Sequence, residues 1–327
     1  MCENPWMRIG VSLRSAYPTD PPTGARWMIE RARAARRAGL DSLFVGDHHS
    51  TGPGAYYQNV PILGRLLAEW TDGTDREPAS VAERKASVAE RKSGALFLLP
   101  LWNPVLLAEQ IGTLASIADG RFVMQTAIGG GAEQFEGMGA SLKGRARRFE
   151  QGLDVVRRLL AGETVNARVG NLQITDARVA PITAEPLEVW IGGSAEVAIE
   201  RAARLGDGWL ANANHTSTEV REQAAFYLDR CAAFGRLPSA VAIRRDVHVG
   251  ADPEEAARVA EPVIAAGYRG FPAGAITYGD AEQVAERFRE LGSMGYTDVI
   301  VRQLADEQPD ALASIERLAE VRALLDA

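Results

Sequence analysis

Eight short apolar runs, each followed by a stretch of helical periodicity, set the narrowest limit on how this chain can fold. The runs are RIGVSL (8–13), DSLFVG (41–46), GALFLLP (94–100), RFVMQTAIGGG (121–131), LEVWIGG (187–193), DGWLAN (207–212), AIRRDVHVG (242–250) and TDVIVR (297–302). They are rich in Val, Ile and Leu and do not alternate with polar residues, as expected of strands covered on both faces. Helical patterns fill 24–38, 61–70, 104–118, 145–161, 194–205, 217–234 and 309–325, with two further helical pieces after the seventh run. A strand–helix unit repeated eight times predicts an α/β fold, a (β/α)8 TIM barrel with insertions, as a single domain over 1–327. A doubly wound open sheet is the alternative, but neither a G-x-G-x-x-G nor a Walker pattern is present to support it.

Three stretches break the alternation. Residues 71–93 contain the heptapeptide ASVAERK twice in succession, over 79–92. A barrel places this stretch between a helix and the third strand, as an insertion on the N-terminal face, away from the chemistry. Ser80 with Glu83 and Ser87 with Glu90 each read as a capping box, so a short exposed helix or a loop is expected there. Residues 162–184 predict a small hairpin, and 265–279 a Gly- and Pro-rich loop.

Composition closes off several function classes. A net charge of −7 gives no basic footprint for nucleic acid. No apolar run is long enough to span a bilayer, and the opening MCENPWMRIG lacks the pattern of a signal peptide. Cys2 and Cys231 lie in no metal-like spacing, so a reduced, cytoplasmic protein without a metal is expected.

Barrel active sites lie at the C-terminal ends of the strands. After the second run come Asp47, His48 and His49; successive side chains point opposite ways, so one imidazole faces the mouth. It is either a proton-transfer group oriented by a carboxylate or a polar cap on a strand end. A metal would need His48 and His49 to share an ion with His215. The segment after the third run is apolar and suits the face of a flat ring, or is a packed loop. Gly129, Gly130 and Gly131 permit close backbone approach or a simple turn. Gly192 and Gly193 precede Ser194, which is placed to cap the next helix, whose first amides could hold a phosphate. Asn212, Asn214 and His215 follow the sixth run. Tyr56, Tyr57, Trp102, His215, Arg269 and Arg302 are candidates to line the mouth, with Tyr56 and Tyr57 expected on a mobile lid.

The order of motifs then becomes specific. AGLDSLFVGDHH, LFLLPLWNPVLLAEQIGTLASIADGRFVMQTAIGGG, GRARRFEQGLDVVRRLLAGE and VWIGGSAEVAIERAARLGDGW together resemble the bacterial-luciferase-like oxidoreductases, over residues 7–302. The resemblance implies a barrel that uses either reduced FMN with oxygen or the deazaflavin coenzyme F-420. It implies His48 as the active-site histidine and Asp47 as its acidic neighbour. Gly192, Gly193 and Ser194 match the cofactor-phosphate loop, and Asn212 and Asn214 the rim beside it. Phe97, Leu98 and Leu99 match the backbone bulge under the ring, which in some members holds a non-prolyl cis peptide. Ile128, Gly129 and Gly130 fill positions where many members carry a polar or acidic residue.

The expectation that follows is a flavin-dependent monooxygenase acting on a small organic substrate, with a separate flavin reductase as a partner and a homodimer as the assembly. A coenzyme F-420-dependent reductase or dehydrogenase is the alternative. A flavin-binding protein with little catalysis is the alternative of another class.

Overall fold

The computed structural model describes residues 7–52, 55–70, 91–118 and 120–326. The expectations for 79–90, which hold most of the tandem repeat, lie outside them. The strands are β1 (Arg8–Leu13), β2 (Ser42–Val45), β3 (Lys92–Leu98), β4 (Arg121–Ala127), β5 (Val165–Val169), β6 (Leu172–Ala177), β7 (Glu188–Gly192), β8 (Gly208–Ala211), β9 (Ala240–Val249), β10 (Ile276–Gly279) and β11 (Asp298–Gln303). The helices are α1 (Pro21–Arg37), α2 (Asn59–Trp70), α3 (Pro104–Ile117), α4 (Ala132–Gly137), α5 (Arg145–Leu160), α6 (Glu196–Leu205), α7 (Ser217–Ala233), α8 (Pro253–Ala265), α9 (Ala281–Ser293) and α10 (Gln308–Asp326).

The large sheet runs β10-β9-β11-β1-β2-β3-β4-β7-β8, and β8 pairs again with β9. Without β10 this is a closed ring of eight strands, the (β/α)8 barrel that the alternation predicts. The antiparallel pair β5–β6 is the expected hairpin. Among the described residues, no helix is long and apolar enough to cross a membrane.

Two compact units divide the chain: Met1–Phe44 with Trp190–Ala327, and Val45–Val189. In the first, β9 is the organising strand. It pairs with β11 over 242–247, with β8 over 240–243 and with β10 over 246–249. Both β8 and β10 overlap β11 in register, so they share the other edge of β9, one along each half. The core holds the fully buried Trp190 and Trp209, with the Trp209 ring 5.1 Å from Tyr227 and 6.1 Å from Tyr296. Gly10 is required where β1 meets β2, because a Cβ there would lie 1.9 Å from Ser42 Oγ. In the second unit, Asn103 caps α3 ahead of Pro104, and the buried Lys92 ammonium meets Glu188 at 2.9 Å.

Several elements depart from the sequence reading. The 265–279 loop contains β10, whose four residues are too few to show a period. The six-residue α4 was not expected, for the same reason. The fourth strand ends at Ala127 and leaves its glycines outside, with Gly129 at φ 68° and Gly131 at φ 93°. The third begins at Lys92, so the last residues of the 71–93 insertion are strand. That gives the repeat a consequence: deleting 86–92 puts Lys85 in the place of Lys92, beside Ser93. The deletion is expected to leave the melting temperature within about 2 °C, by calorimetry; a fall beyond 8 °C would mean that the repeat itself supports the barrel.

His248 of β9 is fully buried, with neither ring nitrogen hydrogen-bonded. Burial pushes its imidazole below the ordinary 6.5, against Glu255 and Asp310, which act the other way. Its folded pKa is therefore the lower one, and the unfolded chain takes up the proton first as pH falls. The contribution of His248 is present above about pH 6.5 and is lost below it, by up to about 1.4 kcal/mol per pH unit. Urea melts of wild type and His248→Gln at pH 7.5 and 5.5 should show the gap between them closing in acid. A gap that does not change with pH would refute this.

Candidate active site

In the second unit, Asp47 organises the end of β2. The residue is 2% exposed. One carboxylate oxygen accepts from the Leu98 amide at 2.7 Å and from the Trp102 indole N–H at 2.8 Å. The other lies 3.0 Å from His49 Nε2. The His49 ring also packs edge-on to Trp102 at 5.6 Å, and its amide donates to Gln134 Oε1 at 2.8 Å. The two histidines thus divide as successive residues on an extended segment should: His49 faces inward beside Asp47, close to it but without a hydrogen bond between the two atoms. His48 is half-buried, with its ring 4.9 Å from that of Tyr56. The carboxylate that the sequence offers to His48 is engaged by its neighbour.

Asp47 also sets the backbone after β3. The chain leaves extended geometry at Leu98, with ψ 73°, and turns through a short 3-10 helix, Leu99–Leu101. The bond to Asp47 holds the Leu98 amide at that bend, and Thr126 Oγ1 holds the Phe97 carbonyl at 2.8 Å. The bend stands where the family's bulge was expected, although the cis peptide among the described residues is Ala180–Pro181. Phe97, Leu98 and Leu99 are buried; Leu99 is turned toward α5, where a Cβ on Gly152 would lie 3.3 Å from its Cγ. Ile128 and Gly129 are half-buried and Gly130 is exposed, with open space around Gly130 and Gly131. Tyr57 is half-buried.

In the first unit, β7 ends at Gly192, and Gly193 takes φ 144°. A Cβ on Gly193 would lie 2.7 Å from Ala198 Cβ. Ser194 does not cap α6, contrary to the sequence reading. Its Oγ accepts from the Asn212 amide at 3.3 Å, while Ala195 occupies the cap position with no side-chain bond. The first amides of α6 are therefore left for another acceptor. The Gly193 carbonyl accepts from the Trp209 indole at 2.7 Å, which ties the glycine turn to β8. Asn212 and Asn214 are exposed beside it. His215 lies 3.6 Å from Glu219, which forms a capping box with Thr216 at the start of α7. Among the described residues, no group of three or more His, Cys, Asp or Glu is arranged to hold a metal.

Reading the sequence by strand ends missed Arg244 and Asp246 on β9, and Arg14 just past β1. Asp246 is fully buried, with Arg269 Nη1 at 3.1 Å and Arg244 Nε at 3.6 Å. The signal was present: AIRRDVHVG puts three charges inside a strand that is otherwise apolar, and charged side chains are rarely buried without purpose.

The family of luciferase-like monooxygenases matches residues 7–325, and this chain belongs to that family of oxidoreductases. An uncharacterised protein of Mycobacterium tuberculosis is 28% identical over 200 residues, 61% of this chain and 69% of the other. The F420-dependent glucose-6-phosphate dehydrogenase of Amycolatopsis mediterranei is 25% identical over 196 residues, 57% of this chain and 53% of that enzyme. The match therefore spans about half the dehydrogenase. Among solved structures, monooxygenase RslO1 from Streptomyces bottropensis superposes with a TM-score of 0.79 at 17% identity, over 98% of this chain and 100% of that one. At that identity the likeness speaks for the fold.

Proposed function

We propose that this chain is a flavin-dependent monooxygenase that uses reduced FMN and oxygen on a small organic substrate. The observation that carries this reading is the dry frame at the ends of β2, β3 and β4. Phe97, Leu98 and Leu99 are buried, no ionisable side chain stands at 128–130, and Asp47 is occupied by Leu98, Trp102 and His49. Such walls exclude water, which oxygen chemistry on a reduced cofactor requires. Reduced FMN, when bound, supplies the two electrons, and a separate reductase would regenerate it.

Each unit by itself carries one feature that suits a flavin. In the first, the uncapped start of α6, reached through the glycine turn at Gly192 and Gly193, offers amides to a phosphate. In the second, the fixed bend at Leu98 offers an apolar surface to a ring. His48 would hold or deliver a proton at its imidazole, oriented by the Tyr56 ring. A second reading, hydride transfer with coenzyme F-420 and His48 as proton relay, is favoured by the match to a dehydrogenase that uses that coenzyme.

Gly193→Val tests the phosphate assignment. A branched side chain at φ 144°, pressed on Ala198, should displace the start of α6 and weaken FMN by at least about tenfold in a fluorescence titration. Unchanged affinity in a folded variant would remove this turn from the cofactor site. A homodimer remains our proposal for the assembly, to be read by gel filtration.

A further inference from the structure

Four guanidinium groups gather around β1, β9 and β11, with two carboxylates among them. Arg14 follows β1 and pairs with Asp306. Arg244 and Asp246 are two residues apart on β9 and so share one of its faces. Arg302 stands opposite Asp246 in the β9–β11 register and joins that face. Arg269 reaches the same carboxylate from the turn after α8, at 3.1 Å, and holds a left-handed backbone, φ 52°, to do so. A non-glycine residue in that conformation is costly and needs support from its surroundings.

The charges do not balance. Asp306 is taken by Arg14, and Asp246 by Arg269 with Arg244 beside it. Arg302 makes no ion pair among the described residues, and its Nε is buried without a hydrogen-bond partner. The Nε of Arg244 and the hydroxyl of Tyr268 are in the same condition. Burial first, and then the neighbouring Arg269 and Arg244, pull Arg302 down to about 10. Burial likewise lowers Arg244. Holding like charges together out of water costs free energy, which a bound anion would return. Guanidinium forks match the paired oxygens of carboxylates and phosphates.

We propose that Arg244, Arg269, Arg302 and the Tyr268 hydroxyl form a subsite for an oxyanion, so that the substrate is an organic carboxylate or phosphate. The assignment of that anion to the substrate rests on the oxidoreductase reading. The subsite is distinct from the uncapped start of α6, which lies at the end of β7.

Isothermal titration tests this at low ionic strength, on the flavin-free and the FMN-loaded protein, with sodium benzoate and inorganic phosphate as probes. Wild type should bind at least one probe with one-to-one stoichiometry, with or without FMN, and the probe preferred tells carboxylate from phosphate. Arg302→Gln should weaken that binding by at least about tenfold, and Arg302→Lys by less, since it keeps the charge and loses the fork. Arg269→Gln, on an exposed turn, keeps the test open if Arg302→Gln fails to fold. Arg287→Gln, exposed on α9, should change nothing. The proposal is overturned if neither probe binds, or if binding survives in both the Arg302 and Arg269 variants. It is equally overturned if FMN abolishes binding while Arg302→Gln does not, because the anion would then sit at α6. Should the protein bind neither FMN nor coenzyme F-420 yet lose benzoate or phosphate with Arg302→Gln, the subsite stands and the flavin-dependent reading fails.

Discussion

Asp47→Ala is expected to cost about 3–5 kcal/mol of folding stability, the scale for removing one partner from a buried charged network. The residue is 2% exposed; its carboxylate accepts from the Leu98 amide and the Trp102 indole and lies 3.0 Å from His49. Alanine leaves two N–H donors buried without an acceptor, each at about 1–3 kcal/mol. Asp47→Asn keeps an oxygen for one donor and should lose roughly half as much. Urea unfolding of the two variants measures both numbers. A loss under about 1 kcal/mol for Asp47→Ala would mean that water or a rearranged turn satisfies those donors.

His48→Ala should leave the fold in place and lower substrate-dependent oxygen uptake by about 10²–10⁴-fold, the range for losing a positioned proton-transfer group. FMN affinity should change little, because the role proposed for His48 is proton transfer and not attachment of the cofactor. Asp47 and His48 are adjacent, yet their variants should fail differently, one in stability and the other in turnover. Normal oxygen uptake in His48→Ala would take that histidine out of the reaction.

The barrel was legible because its strands are buried on both faces. Continuous apolar runs such as DSLFVG and TDVIVR leave little choice of element, and short connections leave little choice of order. The hairpin at 165–177 lies inside the 162–184 stretch that breaks the alternation of strands and helices. What the chain did not disclose were pairings between residues far apart in it. Asp47 meets Leu98 and Trp102 across 51 and 55 residues, and no spacing rule reports such bonds. The adjacency of Asp47 and His48 even suggested the wrong partner, because it is the next histidine, turned inward, that the carboxylate meets. Ser194 misled for a related reason: it stands two residues before α6, and its oxygen is better satisfied by Asn212. Arg269 and Arg302 were visible singly as rim candidates. Their convergence on Asp246 needed the β9–β11 register.

The central claim is that this chain binds reduced FMN as its working cofactor. Titrating the purified protein with FMN, reduced FMN and coenzyme F-420, and following tryptophan fluorescence, tests it most directly. The account predicts saturable quenching by reduced FMN at micromolar concentration, with F-420 at least about tenfold weaker. Micromolar binding of F-420 with none of FMN in either redox state would contradict it, and would make hydride transfer the working chemistry of this site.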